Sequence, residues 1–132
     1  MPDVLIYGDT IRSPELRHEV PIGVPDPFLY AEVGGVRHIA VNSMEAPRLL
    51  DFGIEVHVYD ELGLDELRAS GKSFAEIGDE LALRAVQAIG LERAAVPVGF
   101  PLGIADLLRS AGIELTPDRN LFDGRRRVKN AA

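Results

Sequence analysis

The sequence predicts an α/β fold, a mixed β-sheet flanked by helices, and two patterns carry that prediction. Phe28–Val33 and Val36–Val41 are β-rich runs separated by Gly34-Gly35, a pair able to take the positive φ angles of a type I′ turn, so they form an antiparallel hairpin. Residues 50–54 and 108–113 each run helix, glycine, strand, the order expected where crossovers join parallel strands. A sheet that contains both a hairpin and crossovers is mixed. At 132 residues the chain has the size of one compact domain, long enough to bury roughly two-thirds of its unfolded surface.

Taken in order, residues 4–7 (VLIY) form a short strand stopped by Gly8. Pro14, Pro21, Pro25 and Pro27 forbid a long helix over residues 13–27, which read as a shaped loop with room for one extended segment. After the hairpin, Ser43 caps a helix running to about Phe52. Gly53 supplies its left-handed stop, and residues 54–59 (IEVHVY) are a strand. Residues 60–70 read as a short helix closed by Gly71. Ser73 and Glu76 make a capping box, and Ile77, Leu81, Ala85 and Ile89 lay one apolar stripe along the longest helix, which ends at Gly90. Residues 94–98 form a buried strand. Pro101 suits a first helical position, where its missing N–H costs nothing, and Leu102, Ala105 and Leu108 share a face up to Gly112. Residues 113–116 are another strand.

Few residues assemble into a chemical motif. Asp9 follows a buried strand, as a phosphotransferase aspartate does, but the second acid two residues away is missing and a turn role is expected. Gly99 and Gly103 flank a helix start that could cradle phosphate. Phe100 and Pro101 intervene, Pro101 lacks an amide donor, and no established phosphate-loop pattern is present, so an ordinary strand-to-helix turn is expected. His18, His38 and His57 are dispersed over a loop and two strands, without the close spacing of metal ligands; His57 reads as a half-exposed strand position. The acidic pairs at 60–61, 65–66 and 79–80 lie in helical segments, where adjacent residues do not share a face, and read as solubilising. The absence of cysteine excludes disulfides and thiolate chemistry.

Charge is unevenly distributed. Residues 1–118 carry a net −11, while residues 119–132 carry a net +4. An acidic body repels phosphate backbones, and a short basic run without aromatic interleaving is a poor nucleic-acid platform, so nucleic acid is not an expected partner. No stretch approaches the roughly 18 apolar residues of a membrane span, and Met1-Pro2-Asp3 does not open a signal peptide, so a cytoplasmic, membrane-free protein is expected.

The stretches FLYAEVGGVRHIAVNSMEAPRL, AVPVGFPLGIADLLRSAGIELTPDRNLF and the terminal RRRVKN resemble the N-terminal domain of the creatinase, prolidase and Xaa-Pro aminopeptidase family, over essentially the whole chain. The resemblance implies a ribonuclease H-like motif for residues 1–124, with residues 125–132 starting a linker to a larger catalytic domain of pita-bread fold. In the family that connection reads as arginine, a short gap and lysine. Arg127 and Lys129 match it, and Ala131-Ala132 would open the next domain's first helix. The Tyr-Leu-Thr segment frequent before the hairpin is absent, with residues 15–21 (ELRHEVP) in its place.

Peptidases of the family hold two divalent ions, Mn, Co or Zn, on two aspartates, a histidine and two glutamates of the C-terminal domain. No catalytic and no metal residues are therefore expected in this chain. The implied role is a non-catalytic accessory domain of a Xaa-Pro dipeptidase or aminopeptidase that contributes to oligomer formation and active-site access. Its expected partners are its own catalytic domain and a second copy in a dimer. Arg17 and His18, in the proline-rich stretch, are the candidates to face a partner's cleft. Two other readings stay open: the accessory domain of a creatinase-like amidinohydrolase, and a stand-alone binding or interaction module.

Overall fold

The computed structural model describes residues 2–20, 23, 24 and 26–131, with the side chains of residues 51 and 126–131 outside that description. Six strands form one sheet: β1 (Val4–Gly8), β2 (Phe28–Val33), β3 (Val36–Val41), β4 (Glu55–Val58), β5 (Arg93–Val96) and β6 (Glu114–Pro117). Their spatial order is β4-β3-β2-β1-β5-β6. Strand β2 runs antiparallel to both β1 and β3, whereas β3–β4, β1–β5 and β5–β6 are parallel pairs. The mixed sheet follows from the two predicted patterns: Gly34 and Gly35 take φ of 58° and 84° at the hairpin tip, and crossovers place β4 and β6 beside β3 and β5.

Strand alternation gives the sheet two apolar faces. On the first, Leu5, Leu29, Ala31, Ala40, Ala94, Val96 and Leu115 pack against α4 (Phe74–Ile89) and α5 (Leu102–Ser110). Helix α4 has both reciprocal bonds of the capping box, Ser73 Oγ accepting from the Glu76 N–H at 3.2 Å and a Glu76 carboxylate oxygen accepting from the Ser73 N–H at 3.0 Å. It buries Leu81, Ala82, Ala85 and Val86, with Ile77 and Ile89 half-buried at its ends. Each fully buried large aliphatic side chain here contributes about 1.5–3 kcal/mol. In α5 the expected stripe is shifted: Ile104, Ala105 and Leu108 are buried, while Leu102 is 71% exposed, and Pro101 stands at the cap position instead of the first helical one.

The second face carries Val4, Ile6, Phe28, Tyr30, Ile39, Val41 and Ala95 and is covered by shorter elements. The proline-rich stretch contains a helix, α1 (Pro14–Glu19), where a loop was expected. Pro14 occupies the first turn without losing a bond, Ser13 Oγ accepts from the Leu16 N–H at 3.2 Å, and buried Leu16 and Val20 fasten the element to the sheet. The helix expected from Ser43 instead begins at α2 (Ala46–Leu49) and tightens to a 3₁₀ turn over Leu50–Phe52. Asn42 Oδ1 takes the Glu45 N–H at 2.9 Å and holds the chain in a turn across Ser43. Gly53 ends the element in the left-handed conformation, as expected.

The segment read as one helix over 60–70 is divided at Gly63 into a 3₁₀ turn (Tyr59–Leu62) and α3 (Leu64–Ala69). Gly63 has φ of 89°, and a Cβ there would lie 2.1 Å from Arg84 Nη1, which donates to the Leu62 carbonyl at 3.0 Å. The last helix is α6 (Arg119–Ala131), which runs across residues 124 and 125 without a break and starts well before Ala131. Asp118 begins it by accepting the Leu121 N–H at 3.0 Å, and Phe122 is buried in the second core. Gly124, a poor helix former at the middle of the segment, weakens the helical signal there, although the cations that follow are good helix formers. No helix among the described residues is long and apolar enough to cross a membrane.

Candidate functional site

The chain leaves β1 toward α1 on one face and leaves β5 toward α5 on the other. Such a division opens a crevice beyond the carboxyl ends of neighbouring parallel strands, the usual ligand position in α/β sheets. Here the crevice holds about 310 Å³ and is lined by Tyr7, Asp9, Arg12, Ser13, Glu15 and Phe100, among others. Asp9 is buried, and its Oδ1 accepts the N–H groups of Ile11 at 3.0 Å and Arg12 at 2.7 Å. It is a turn aspartate, as the sequence indicates. Thr10 Oγ1 accepts the Val24 N–H at 2.6 Å and closes the base of the loop. Burial, followed by the charge of Asp79, raises the Tyr7 hydroxyl above its ordinary pKa and keeps it a neutral donor. The Phe100 N–H donates to the Pro97 carbonyl at 3.0 Å, so the strand-to-helix connection is an ordinary turn.

Large apolar side chains gather around this end of the sheet. Ile11 follows β1, Met44 follows β3, Val98 and Leu102 follow β5, and Phe74 opens α4, whose opposite end feeds β5; all five are exposed. Arg17 and His18 lie on α1, not on a loop, with Arg17 exposed and His18 half-buried. The side chains of Arg127 and Lys129 lie outside the described residues.

Two constellations were not read from the sequence. On the second face, Arg125 reaches from α6 to Glu19 at 2.7 Å and also bonds Glu32, with its side chain only 17% exposed. The Tyr30 hydroxyl donates to Glu32 at 2.8 Å and accepts from Arg37 Nε at 2.9 Å, while Arg37 Nη2 donates to the Glu19 carbonyl at 2.6 Å. Burial opposes the Arg125 charge, but the bonds from Glu32 and Glu19 outweigh it and the guanidinium pKa rises. At Tyr30, by contrast, burial dominates and pushes the hydroxyl well above its ordinary value. Arg125 thus belongs electrically to the acidic body.

On the first face, near the outer edge of the sheet, His38 Nδ1 and His57 Nε2 stand 3.0 Å apart, with ring planes tilted by 30°. The parallel β3–β4 register pairs Ala40 with His57 and so sets both imidazoles on one face. Among the described residues no three His, Asp or Glu side chains converge as a metal-ligand group.

No protein-family model matches the sequence, and no curated protein matches it. Among solved structures, the chain is similar to the prolidase from Pyrococcus horikoshii OT3, with a TM-score of 0.57 and 14% identity. The similarity covers 98% of this chain and 30% of that one. At this identity it shows a shared fold: the mixed sheet flanked by helices is that of a portion of prolidase.

Proposed function

We propose that this chain is a non-catalytic accessory domain of a Xaa-Pro peptidase and contributes to oligomer formation and active-site access. The observation behind this reading is the extent of the fold likeness, which takes in 98% of the chain while engaging 30% of a prolidase. In this reading the catalytic machinery, with two divalent ions, belongs to a following domain, and Arg127 and Lys129 lie in the connection to it. The protein works in the cytoplasm as a dimer. The exposed Ile11, Met44, Phe74, Val98 and Leu102 support a contact surface, because apolar side chains concentrated at one end of a domain mark interaction sites. In this reading Arg17, exposed on α1, and His18 beside it would face the partner's cleft.

The genomic reading frame beyond the Ala132 codon tests the proposal directly. A frame continuing into a domain with two aspartates, a histidine and two glutamates in metal-ligand arrangement is expected; a stop codon at that point overturns it. The purified chain should leave Xaa-Pro dipeptides intact in the presence of Mn²⁺. Hydrolysis by the chain itself would equally end the accessory-domain reading.

A further inference from the structure

We propose that His38 and His57 form a proton-operated latch between β3 and the edge strand β4, closed while the pair carries at most one added proton and open once both rings are charged. The facing nitrogens, Nδ1 of His38 and Nε2 of His57, are 3.0 Å apart, the distance of a hydrogen bond in which one ring donates and the other accepts. A neutral imidazole has one N–H and one bare nitrogen, so two neutral rings satisfy the contact. One added proton also leaves it intact, because a charged ring donates to a neutral one and charge-assisted bonds are the stronger kind. A second proton makes both facing nitrogens donors. The contact then has no acceptor and sets two like charges side by side, so the rings must part.

The latch sits where little else holds the strand. Among the described residues β4 has four residues, ends the sheet and pairs with β3 alone. The register sets Glu55 level with His38 and His57 level with Ala40, so the imidazole contact runs diagonally across the ladder on one face. Both histidines are half-buried, which leaves the pair open to protons from solvent. Burial, and then His57, lower the proton affinity of His38, with Glu55 opposing, so the doubly charged pair belongs to the acid side of 6.5. Charges on the neighbouring elements are engaged elsewhere or exposed. On α4, Glu76 bonds Ser73, Glu80 and Arg84 pair with each other, and Asp79 acts on Tyr7. Arg37 of β3 bonds Tyr30 on the opposite face, and Arg48 of α2 bonds Glu45. Asp60 and Glu61, on the 3₁₀ turn after β4, are exposed. Glu55 is thus the acid beside the latch. This inference is independent of the accessory-domain reading.

Nitrogen NMR of the isotope-labelled intact chain reads the latch directly. Scalar coupling across the N–H···N contact is expected at about pH 7.5 and should vanish by about pH 5, either side of the ordinary imidazole value, with the two rings titrating in separated steps. Over the same range, with the chain still folded by circular dichroism, hydrogen-exchange protection of the β4 amides should fall ~10-fold after correction for intrinsic rates. That is the size of one lost hydrogen bond and one cross-strand like-charge pair. In His57→Gln an amide oxygen accepts from His38 whether that ring is neutral or charged, so the fall should shrink to less than ~2-fold. His18→Gln should keep the full response. No coupling at the higher pH, coupling that persists at the lower, or the same loss of protection in His57→Gln would overturn the proposal. The coupling is read on the native sequence, so the test holds even if a variant fails to fold.

Discussion

The two faces of the sheet are held by different physics. On the first, α4 and α5 cover the strands with contiguous aliphatic packing, and the long helix carries its own start and stop signals. On the second, α1, α2 and α6 are shorter or strongly polar, and a charged corner of Glu19, Glu32, Arg37 and Arg125 around Tyr30 complements the apolar contacts. Apolar packing is non-directional and tolerates small displacements, whereas the charged corner requires its partners in place because an unmatched buried charge is costly. The contrast shows how a helix of low hydropathy can still dock: α6 offers the sheet Phe122 and one well-paired guanidinium.

The largest expected effect breaks the first face. Leu108→Ala removes a side chain with no solvent exposure and should cost about 3 kcal/mol in urea denaturation, through lost transfer energy and the cavity left behind. Next, Arg125→Ala should cost about 2 kcal/mol by leaving Glu19 and Glu32 without their cation. A double-mutant cycle sharpens the comparison. Arg125→Ala combined with Glu32→Gln should be non-additive by about 1 kcal/mol, whereas Arg125→Ala and Leu108→Ala, on opposite faces, should add to within about 0.5 kcal/mol. Additivity of the first pair would show that the corner does not act as a unit.

Ser73→Ala should cost about 1 kcal/mol by removing the cap of α4. The Ser73 backbone N–H, followed by its hydroxyl, holds the Glu76 carboxyl below its ordinary value of 4.5. A depressed carboxyl pKa stabilises the fold fully above the unfolded value, and that stabilisation is lost as pH falls through the folded one. The thermal midpoint of the native chain should therefore lose the Glu76 contribution only in acid below about pH 4.5.

The smallest effect concerns the histidine edge. Because the His38 pKa is lowered from 6.5 by burial and then by His57, the unfolded chain takes up its proton first on acidification. Stability falls as pH drops below 6.5 and levels off once the folded His38 is itself protonated. In His57→Gln, the His38 titration followed by NMR should move up toward its ordinary value; an unmoved titration would show that burial alone sets it.

The parts legible in the sequence were those decided within a few residues. The Gly34-Gly35 turn, the Ser73/Glu76 capping box and the glycine stops at 53 and 90 depend on contacts between near neighbours, so residue type and spacing identify them. The breaks at Ser43 and Gly63 were less visible. Asn42 competes with Ser43 for the turn, and Arg84, from a different helix, occupies the space beside Gly63. The mixed sheet was readable because hairpins and crossovers leave local marks, but its strand order is a long-range property.

The sequence by itself determined the alternation of elements, the hairpin and the identity of the long capped helix, because backbone sterics and nearest-neighbour hydrogen bonds act over one or two turns. Tertiary structure alone decided the pairings that carry the chain's chemistry. Glu19 meets Arg125 across 106 positions, and His38 meets His57 across 19. Both meetings are set by how α6 docks and by the register of β3 on β4, which depend on burying apolar faces that distant segments supply together.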